Sequence, residues 1–187
     1  MNESRTQVLL LMLMGVVIPL MIAIVGLFVR MNQLQREVLA ALEPLQGMRG
    51  PQGLEIGTEA PAFTLPDAAG QMVALGDFAG QKLLLTFSSI QCPHCAEMYP
   101  HLKAFSQEAD RIQVVMISRG SADENWQLVE EQGFGFPVLT WDDAVAQDYQ
   151  VPGTPFFYVI DGEGVIANAG FAGTLEQLEA LVEGGAE

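Results

Sequence analysis

The sequence is poor in residues that bind metal ions. Its 187 residues include two cysteines, Cys92 and Cys95, and two histidines, His94 and His101. A structural zinc site takes four ligands. Here all four candidates fall within ten residues on one predicted helix, and the chain has no second Cys-x-x-C pair. We therefore expect no metal site.

Basic residues are scarce as well. Eight Lys or Arg stand against 23 Asp or Glu, which gives a net charge of −15. The imbalance falls on residues 51–187, which hold four basic and twenty acidic side chains, whereas residues 1–50 hold four and three. A domain of this charge repels phosphate groups and anionic lipid surfaces. We therefore expect no nucleic-acid partner and interpret the acidity as a solvated surface.

One long apolar run is present near the N-terminus. Residues 8–29 contain no charged side chain over 22 positions. A helix of this length crosses a hydrocarbon core about 30 Å thick, so we interpret it as a transmembrane helix that anchors the chain in a lipid bilayer. The alternative is a cleaved signal peptide, but its apolar region would be shorter, roughly 7–15 residues, and would end at a small-x-small site.

The anchor divides the chain into four segments. Residues 1–7 form an N-terminal flank, 8–29 the anchor, 30–53 a helical stalk and linker, and 54–187 a globular domain. Apolar residues in the stalk recur at spacings of three and four, so the stalk could instead pair two anchored chains weakly. The count of Lys and Arg on either side of the anchor mildly favours a cytoplasmic domain, but by a small margin.

Strand and helix patterns alternate through the globular domain. Period-2 and continuous apolar runs predict strands, and 3.6-residue spacing predicts helices. The predicted elements are a hairpin over 62–75, strands over 82–88 and 112–118, helices over 92–109, 122–132 and 144–150, a strand ending at 136–139, a closing hairpin over 156–168, and a last helix through Leu175 and Val182. This order predicts an α/β fold with a mixed sheet that helices cover on both faces.

The two cysteines lie in the stretch Cys92-Pro93-His94-Cys95, between a buried strand and a helix. If the helix starts at Cys92, its sulfur lies near free backbone N–H groups and the positive end of the helix dipole, which lowers a thiol pKa. Pro93 suits a first turn because its missing N–H would be unpaired there, and a protonated His94 adds positive charge. We predict that Cys92 is the attacking thiol and that the more buried Cys95 resolves the mixed disulfide. The alternative is that both cysteines are inert core residues.

A second proline-containing stretch precedes the strand at 156–160. It reads Val151-Pro152-Gly153-Thr154-Pro155. An X-Pro bond at a strand entry is a position where a cis bond occurs, and a cis Pro155 would leave the Thr154 backbone free to pair with an extended substrate beside Cys92. The residues alone leave cis and trans equally open.

Together these residues resemble the thioredoxin superfamily, and within it the membrane-anchored TlpA-like or redoxin group, particularly the methylamine-utilisation MauD type. The resemblance covers nearly the whole chain. It rests on the apolar anchor and on Gly57–Pro66, Leu83–Phe87, Gln91–Cys95, Pro100, Gly153–Pro155 and Asp161–Gly164.

The resemblance implies a thioredoxin fold with an N-terminal β-hairpin extension and dithiol–disulfide exchange with protein substrates. Pro155 matches the family's cis-proline and Pro100 the proline that kinks its active-site helix. The resemblance also implies an anchor in the inner membrane and a domain that faces the periplasm. We expect no cofactor beyond the Cys92–Cys95 disulfide, and a membrane redox partner is left open. MauD-type proteins are accessory factors in maturing a disulfide-rich amine dehydrogenase subunit.

Three positions depart from the family pattern. Thr86 stands where thioredoxin has a buried Asp, Gln91 replaces the Trp that often precedes the first cysteine, and Met98 stands where some TlpA-like reductases have Glu. The Pro-His pair also resembles strongly oxidising members. The direction of electron flow therefore stays open.

The leading function is a membrane-tethered thiol–disulfide oxidoreductase that forms, reduces or isomerises disulfides in exported proteins. One alternative is a peroxiredoxin-like thiol peroxidase, because Ser89-x-x-Cys92 matches half of that motif, although Leu85 stands where the motif has Pro. Another is a membrane-tethered module that binds client proteins without catalysis.

Overall fold

A computed structural model describes Met21, Arg30 and residues 53–108 and 112–184. These residues fall into two units, 1–49 and 50–187. In the first unit Met21 and Arg30 are helical; the rest of the predicted flank, anchor and stalk lies outside the described residues. Within the described ranges, no helix combines the length and the apolar composition that crossing a membrane requires.

The second unit contains seven strands and four helices among its described residues. In chain order they are β1 (Thr64–Pro66), β2 (Met72–Ala74), β3 (Lys82–Ser89), α1 (Pro93–Glu108), β4 (Ile112–Arg119), α2 (Ala122–Gln132), β5 (Val138–Thr140), α3 (Asp143–Asp148), β6 (Phe156–Ile160), β7 (Ile166–Gly170) and α4 (Leu175–Glu183). A 3-10 turn (Leu75–Phe78) follows β2. Every strand and helix that the sequence predicted within the globular domain is present among these elements.

Five strands form one mixed sheet in the order β5-β4-β3-β6-β7. The strands β3, β4 and β5 run parallel, whereas β6 and β7 are antiparallel to their neighbours. Leu85 in the central strand pairs with Val115 on one side and Tyr158 on the other. Because β3 is buried on both faces and paired at both edges, its sequence is mostly apolar, and such a run predicts a buried strand.

The two faces of the sheet carry different helices. Side chains alternate along a strand, so Leu84 in β3 packs with α1, α2 and α4 in one cluster. Leu83, Leu85 and Phe87 point the other way and pack with Ala146 of α3 and with the β1–β2 hairpin. The prediction of a mixed α/β sheet with helices on both faces is confirmed.

The β1–β2 hairpin is attached to both edges of the sheet. Asp67 forms a bridge with Leu139 of β5, and Glu59, upstream of β1, forms one with Val165 just before β7. Backbone bonds reinforce both contacts, from Ala68 N–H to the Val138 carbonyl at 2.9 Å and from Ala60 N–H to the Gly164 carbonyl at 2.9 Å. The N-terminal extension therefore shields edge strands that would otherwise expose unpaired backbone groups.

The helix after the cysteines begins one residue later than predicted. α1 starts at Pro93 rather than Cys92 and runs through Pro100. Pro93 has a fixed φ and no N–H, so it fits the first helical position, which needs no intrahelical donor. Cys92 is thus the residue just before the helix, with its sulfur facing the first turn.

Candidate active site

The central strand delivers the chain directly to the two cysteines. β3 ends at Ser89, and the turn after it is closed by a bond from Cys92 N–H to the Ser89 carbonyl at 3.1 Å. Cys95 lies in the first turn of α1 on its inner face and is 1% exposed, whereas Cys92 is partly exposed. The expected difference in burial between the two thiols is confirmed.

The Cys92 sulfur lies among several hydrogen-bonding groups. Cys95 N–H donates to Sγ at 3.3 Å, and the Cys92 thiol donates to the Thr154 carbonyl at 3.3 Å. Burial works to raise the pKa of the Cys92 thiol, but bonds from the Cys95 side chain and backbone, the Thr154 side chain and the His94 N–H outweigh it. The net pKa lies below its ordinary value, as expected for a sulfur at the start of a helix.

The pKa of the Cys95 thiol is shifted in the opposite direction. Burial, followed by the bond to Cys92, raises the pKa of Cys95 above its ordinary value. The side chains of Ser88 and Thr154 and the Ser89 backbone act against that rise without cancelling it. One sulfur is therefore disposed to ionise while its neighbour keeps its proton, which is the arrangement that an attacking and a resolving thiol need.

The loop before β6 brings Thr154 and Pro155 to the cysteines. The Thr154–Pro155 peptide bond is cis, as the resemblance implied. The Thr154 carbonyl accepts from the Cys92 thiol, and Pro155 is buried beside it. All six residues singled out from the sequence (Cys92, Pro93, His94, Cys95, Thr154 and Pro155) thus lie at one place on the molecule, and their roles stay predictions.

The His94 ring does not face the sulfur. Its Nδ1 lies 3.1 Å from Oε2 of Glu97, and both side chains are largely exposed, at 79% and 71%. The part of His94 that acts on Cys92 is its backbone N–H. Any charge on the ring is therefore shared with a carboxylate one helical turn away.

A groove of about 400 Å³ opens next to the cysteines. Its lining residues are His94, Glu97, Thr154, Pro155, Phe171, Ala172, Gly173 and Gln177. Phe171 is 60% exposed, and its ring meets the Phe156 ring edge-on, with centroids 4.9 Å apart. Among the described residues, no group of three or more His, Cys, Asp or Glu side chains could hold a metal ion.

Comparison with known proteins places this site in a family. A model of the AhpC/TSA family matches residues 56–169, more than half of the chain. The chain belongs to the AhpC/TSA family. Methylamine utilization protein MauD of Paracoccus versutus is 35% identical over 169 residues, which cover 89% of this chain and 85% of that protein.

Two further similar proteins have names that state a thioredoxin domain or thiol–disulfide chemistry. Thiol-disulfide oxidoreductase ResA of Bacillus subtilis is 27% identical over 63% of this chain and 68% of its own. The thioredoxin domain of a thiol-disulfide oxidoreductase from Bacteroides vulgatus superposes with a TM-score of 0.60 at 27% identity, covering 69% of this chain and 99% of that domain. The thioredoxin-like fold, the MauD-type resemblance and the enzyme class, a protein dithiol–disulfide oxidoreductase, are confirmed.

Three residues of this AhpC/TSA-family site were not predicted from the sequence. The Ser88 side chain acts to lower the pKa of the Cys95 thiol and of the Tyr99 hydroxyl. Phe171 lines the groove. Tyr99 carried a usable signal, because a residue four positions after Cys95 lies on the same helical face. Ser88 and Phe171 are adjacent to the site only through the packing of the sheet.

Proposed function

We propose that this chain is a membrane-tethered thiol–disulfide oxidoreductase that acts on exported proteins. The observation that carries the proposal is the position of the Cys92 sulfur. It lies between the N–H of Cys95 and the carbonyl of Thr154, at 3.3 Å from each. The sulfur is partly exposed, and the second thiol lies one helical turn away.

The exchange then proceeds in two steps that balance in atoms and electrons. The Cys92 thiolate attacks one sulfur of a client disulfide, forms a mixed disulfide, and releases the other client sulfur as a thiolate, which takes a proton from water. Cys95 then attacks the Cys92 sulfur, and the bond to the client breaks. The client gains two electrons and two protons as a dithiol, and Cys92 and Cys95 become a disulfide. Running both steps in reverse oxidises a client dithiol.

The groove beside Cys92 is where we propose that the client chain lies. It begins at Thr154 and Pro155, next to the reactive sulfur, and extends to the exposed ring of Phe171. A protein segment in this groove would present its own cysteine to Cys92 while a neighbouring apolar side chain covers Phe171. Residues 51–187 carry twenty acidic and four basic side chains, so a client surface of basic or neutral character would meet the least repulsion.

We further propose that the client is a disulfide-rich subunit of an amine dehydrogenase. Support comes from the MauD relatives, whose name assigns them to methylamine utilization, and from the resemblance described above. The proposed location is the inner membrane, with the domain in the periplasm and with a membrane redox partner that renews the dithiol or the disulfide. Its support is the 22-residue uncharged run at 8–29, and protease accessibility in spheroplasts tests it.

The function is tested with the full-length chain in detergent and an insulin disulfide as model substrate. We expect the reduced wild-type protein to cleave the disulfide, Cys92→Ser to have less than about 1% of that rate, and Cys95→Ser to accumulate a mixed disulfide. A Cys92→Ser variant with the wild-type rate would overturn the proposal. Rapid oxidation of Cys92 by hydrogen peroxide without disulfide exchange would favour the peroxidase, and no reactive thiol at all would favour the binding module.

The working direction follows from one equilibrium measurement. A reduction potential of the Cys92–Cys95 couple near about −120 mV identifies an oxidant, and one near about −270 mV a reductant. The measurement is made by equilibrating the protein with a glutathione or dithiothreitol buffer and counting free thiols.

A further inference from the structure

Resolution of the mixed disulfide needs Cys95 to attack as a thiolate, although its surroundings oppose that charge. The Cys95 side chain is 1% exposed, and burial is the largest influence raising its pKa. A buried anion must be met by hydrogen-bond donors, because desolvation is not otherwise offset. The groups packed around the Cys95 thiol therefore decide how fast the second step runs.

Two buried hydroxyl groups, those of Ser88 and Tyr99, lie on the same side of the sheet as the Cys95 thiol. Ser88, near the end of β3, is 1% exposed, and Tyr99, four residues after Cys95 on α1, is 5% exposed. Neither Ser88 Oγ nor Tyr99 OH has a hydrogen-bond partner of normal geometry among the described residues. Unpartnered buried hydroxyls are rare and costly, so two of them beside a reactive thiol need an explanation.

Both side chains lie on the side of the sheet that holds Cys95. Ser88 lies on the face of β3 that meets α1, two residues along from Thr86 and four from Leu84, which packs against Cys95 in the same cluster. The Ser88 side chain acts to lower the pKa of both the Cys95 thiol and the Tyr99 hydroxyl, against the rise that burial causes. The Tyr99 ring is fixed by an edge contact with Phe134, with centroids 5.6 Å apart.

We propose that Ser88 and Tyr99 form a two-hydroxyl chain that stabilises the Cys95 thiolate during resolution of the mixed disulfide. Once Cys95 ionises, the Ser88 O–H turns to donate to its sulfur, and the Tyr99 O–H donates to Ser88 Oγ. Ser88 touches the reacting atom, and Tyr99 is a positioning residue that acts through Ser88. The inference rests on the proposed function and deepens it.

The chain donates hydrogen bonds and does not itself accept the proton. The proton that Cys95 gives up goes to water before the attack, and the client sulfur then leaves as a thiolate that takes a proton from water. Burial raises the pKa of Tyr99, so its hydroxyl stays protonated and able to donate at neutral pH. The titratable groups that face the Cys95 thiol are Cys92, on the turn before α1, and Tyr99; His94 and Glu97 lie on the exposed side of α1.

The test separates the two thiol steps with Ellman's reagent, DTNB, on the full-length reduced protein. Attack by Cys92 releases one thionitrobenzoate, and attack by Cys95 on the mixed disulfide releases the second, so stopped-flow absorbance resolves two phases. For Ser88→Ala we expect the second phase to slow by about tenfold, with the first phase within about twofold. Tyr99→Phe keeps the ring and should slow the second phase by about threefold.

Thr140→Val is the matched control. Its hydroxyl is also buried and unpartnered among the described residues, but it lies in β5, two strands away from β3, so nearly isosteric removal should leave both phases unchanged. The pH dependence of the second-phase rate distinguishes the proposed role from a packing defect. In Ser88→Ala the midpoint of that dependence should move to higher pH, which a packing defect alone would not cause. Thermal melting checks that each variant is folded.

Two results would overturn the inference. One is a second phase at the wild-type rate and pH midpoint in both Ser88→Ala and Tyr99→Phe. The other is equal slowing in Thr140→Val, which would indicate a general effect of losing a buried hydroxyl. If the wild-type protein releases no second thionitrobenzoate, the proposed two-step function fails as well, so the two failures are distinguishable.

Discussion

The Cys92 thiol donates a hydrogen bond of 3.3 Å to the carbonyl oxygen of Thr154, 62 residues later in the chain. This contact joins the turn before α1 to the loop that enters β6. A client chain that approaches Cys92 must therefore compete with, or take over, the Thr154 backbone. The nucleophile and the groove beside it form one site for this reason.

The first prediction concerns the ionisation of Cys92. Its pKa is lowered, so the rate of alkylation by iodoacetamide should rise with pH to a midpoint below that of an unperturbed thiol, about 8.5. The Cys95 side chain is one of the donors. In Cys95→Ala the midpoint should move upward without reaching the unperturbed value, because the backbone N–H of residue 95 still donates. An unchanged midpoint in Cys95→Ala would contradict this assignment.

The same shifts predict how the stability of the reduced protein depends on pH. A lowered pKa in the folded state means that Cys92 contributes stability above its unfolded pKa, and that this is lost as the pH falls through the folded value. The raised pKa of Cys95 has the opposite sign, with stability present below the unfolded pKa and lost as the pH rises through the folded one. Urea unfolding between pH 6 and 10 should thus show slopes of opposite sign in Cys95→Ala and Cys92→Ala.

The ion pair between His94 and Glu97 should moderate the reactivity of Cys92. In Glu97→Gln the carboxylate beside the His94 ring is lost, so at low salt alkylation of Cys92 should become roughly twofold faster. Both side chains are exposed, which keeps the effect small. In a His94→Ala background the same Glu97 change should have a distinctly smaller effect; an equal one would show that the pair is not responsible.

Phe171 should contribute to the binding of protein substrates rather than to the chemistry. Phe171→Ala removes an exposed ring from the groove, so we expect KM for a protein disulfide to rise by about threefold to tenfold with kcat nearly unchanged. Exchange with DTNB, which is too small to span the groove, should be unaffected. Trp126→Ala is the matched control, because Trp126 is 47% exposed and does not line this groove. Equal effects from both variants would argue against a specific groove.

Tyr158 should stabilise the start of the domain. Its hydroxyl accepts from Leu54 N–H at 2.9 Å and donates to the Tyr149 carbonyl. Tyr158→Phe leaves both groups unpaired, so the free energy of unfolding should fall by about 1–3 kcal/mol, measured by urea denaturation. Disulfide exchange by the remaining folded protein should be normal. A loss of activity at full stability would point to a different role for this hydroxyl.

The fold was largely predictable because its central strands are buried on both faces. β3 and β6 appear in the sequence as continuous apolar runs, and the positions of the helices follow from the segments between them. The hairpin strands β1 and β2 are three residues each, too short for a pattern to set their ends. The predicted start of α1 was one residue too early because the sequence does not distinguish the residue before a helix from the first helical residue.

The candidate site was predictable only in part. Cys92 and Cys95 are neighbours by spacing alone, whereas Thr154 and Pro155 were assigned to them through a family resemblance. The contacts of Ser88 with Tyr99 and Cys95 need the face of β3 to be known, and a shift of one residue in a strand reverses that face. The direction of the His94 ring toward Glu97 depends on side-chain rotamers that no spacing rule specifies.

The sequence by itself determined the chemistry: two thiols one helical turn apart, after a buried strand, in a chain with too few basic residues for nucleic acid and too few ligands for a structural zinc. It did so because helical spacing is local and composition is additive. The tertiary structure alone decided that the Thr154 carbonyl faces the Cys92 sulfur and that Ser88 lies on the side of the sheet that holds Cys95 and Tyr99. These relationships depend on the loop before β6 and on the face of β3 that a side chain occupies, which local sequence does not specify.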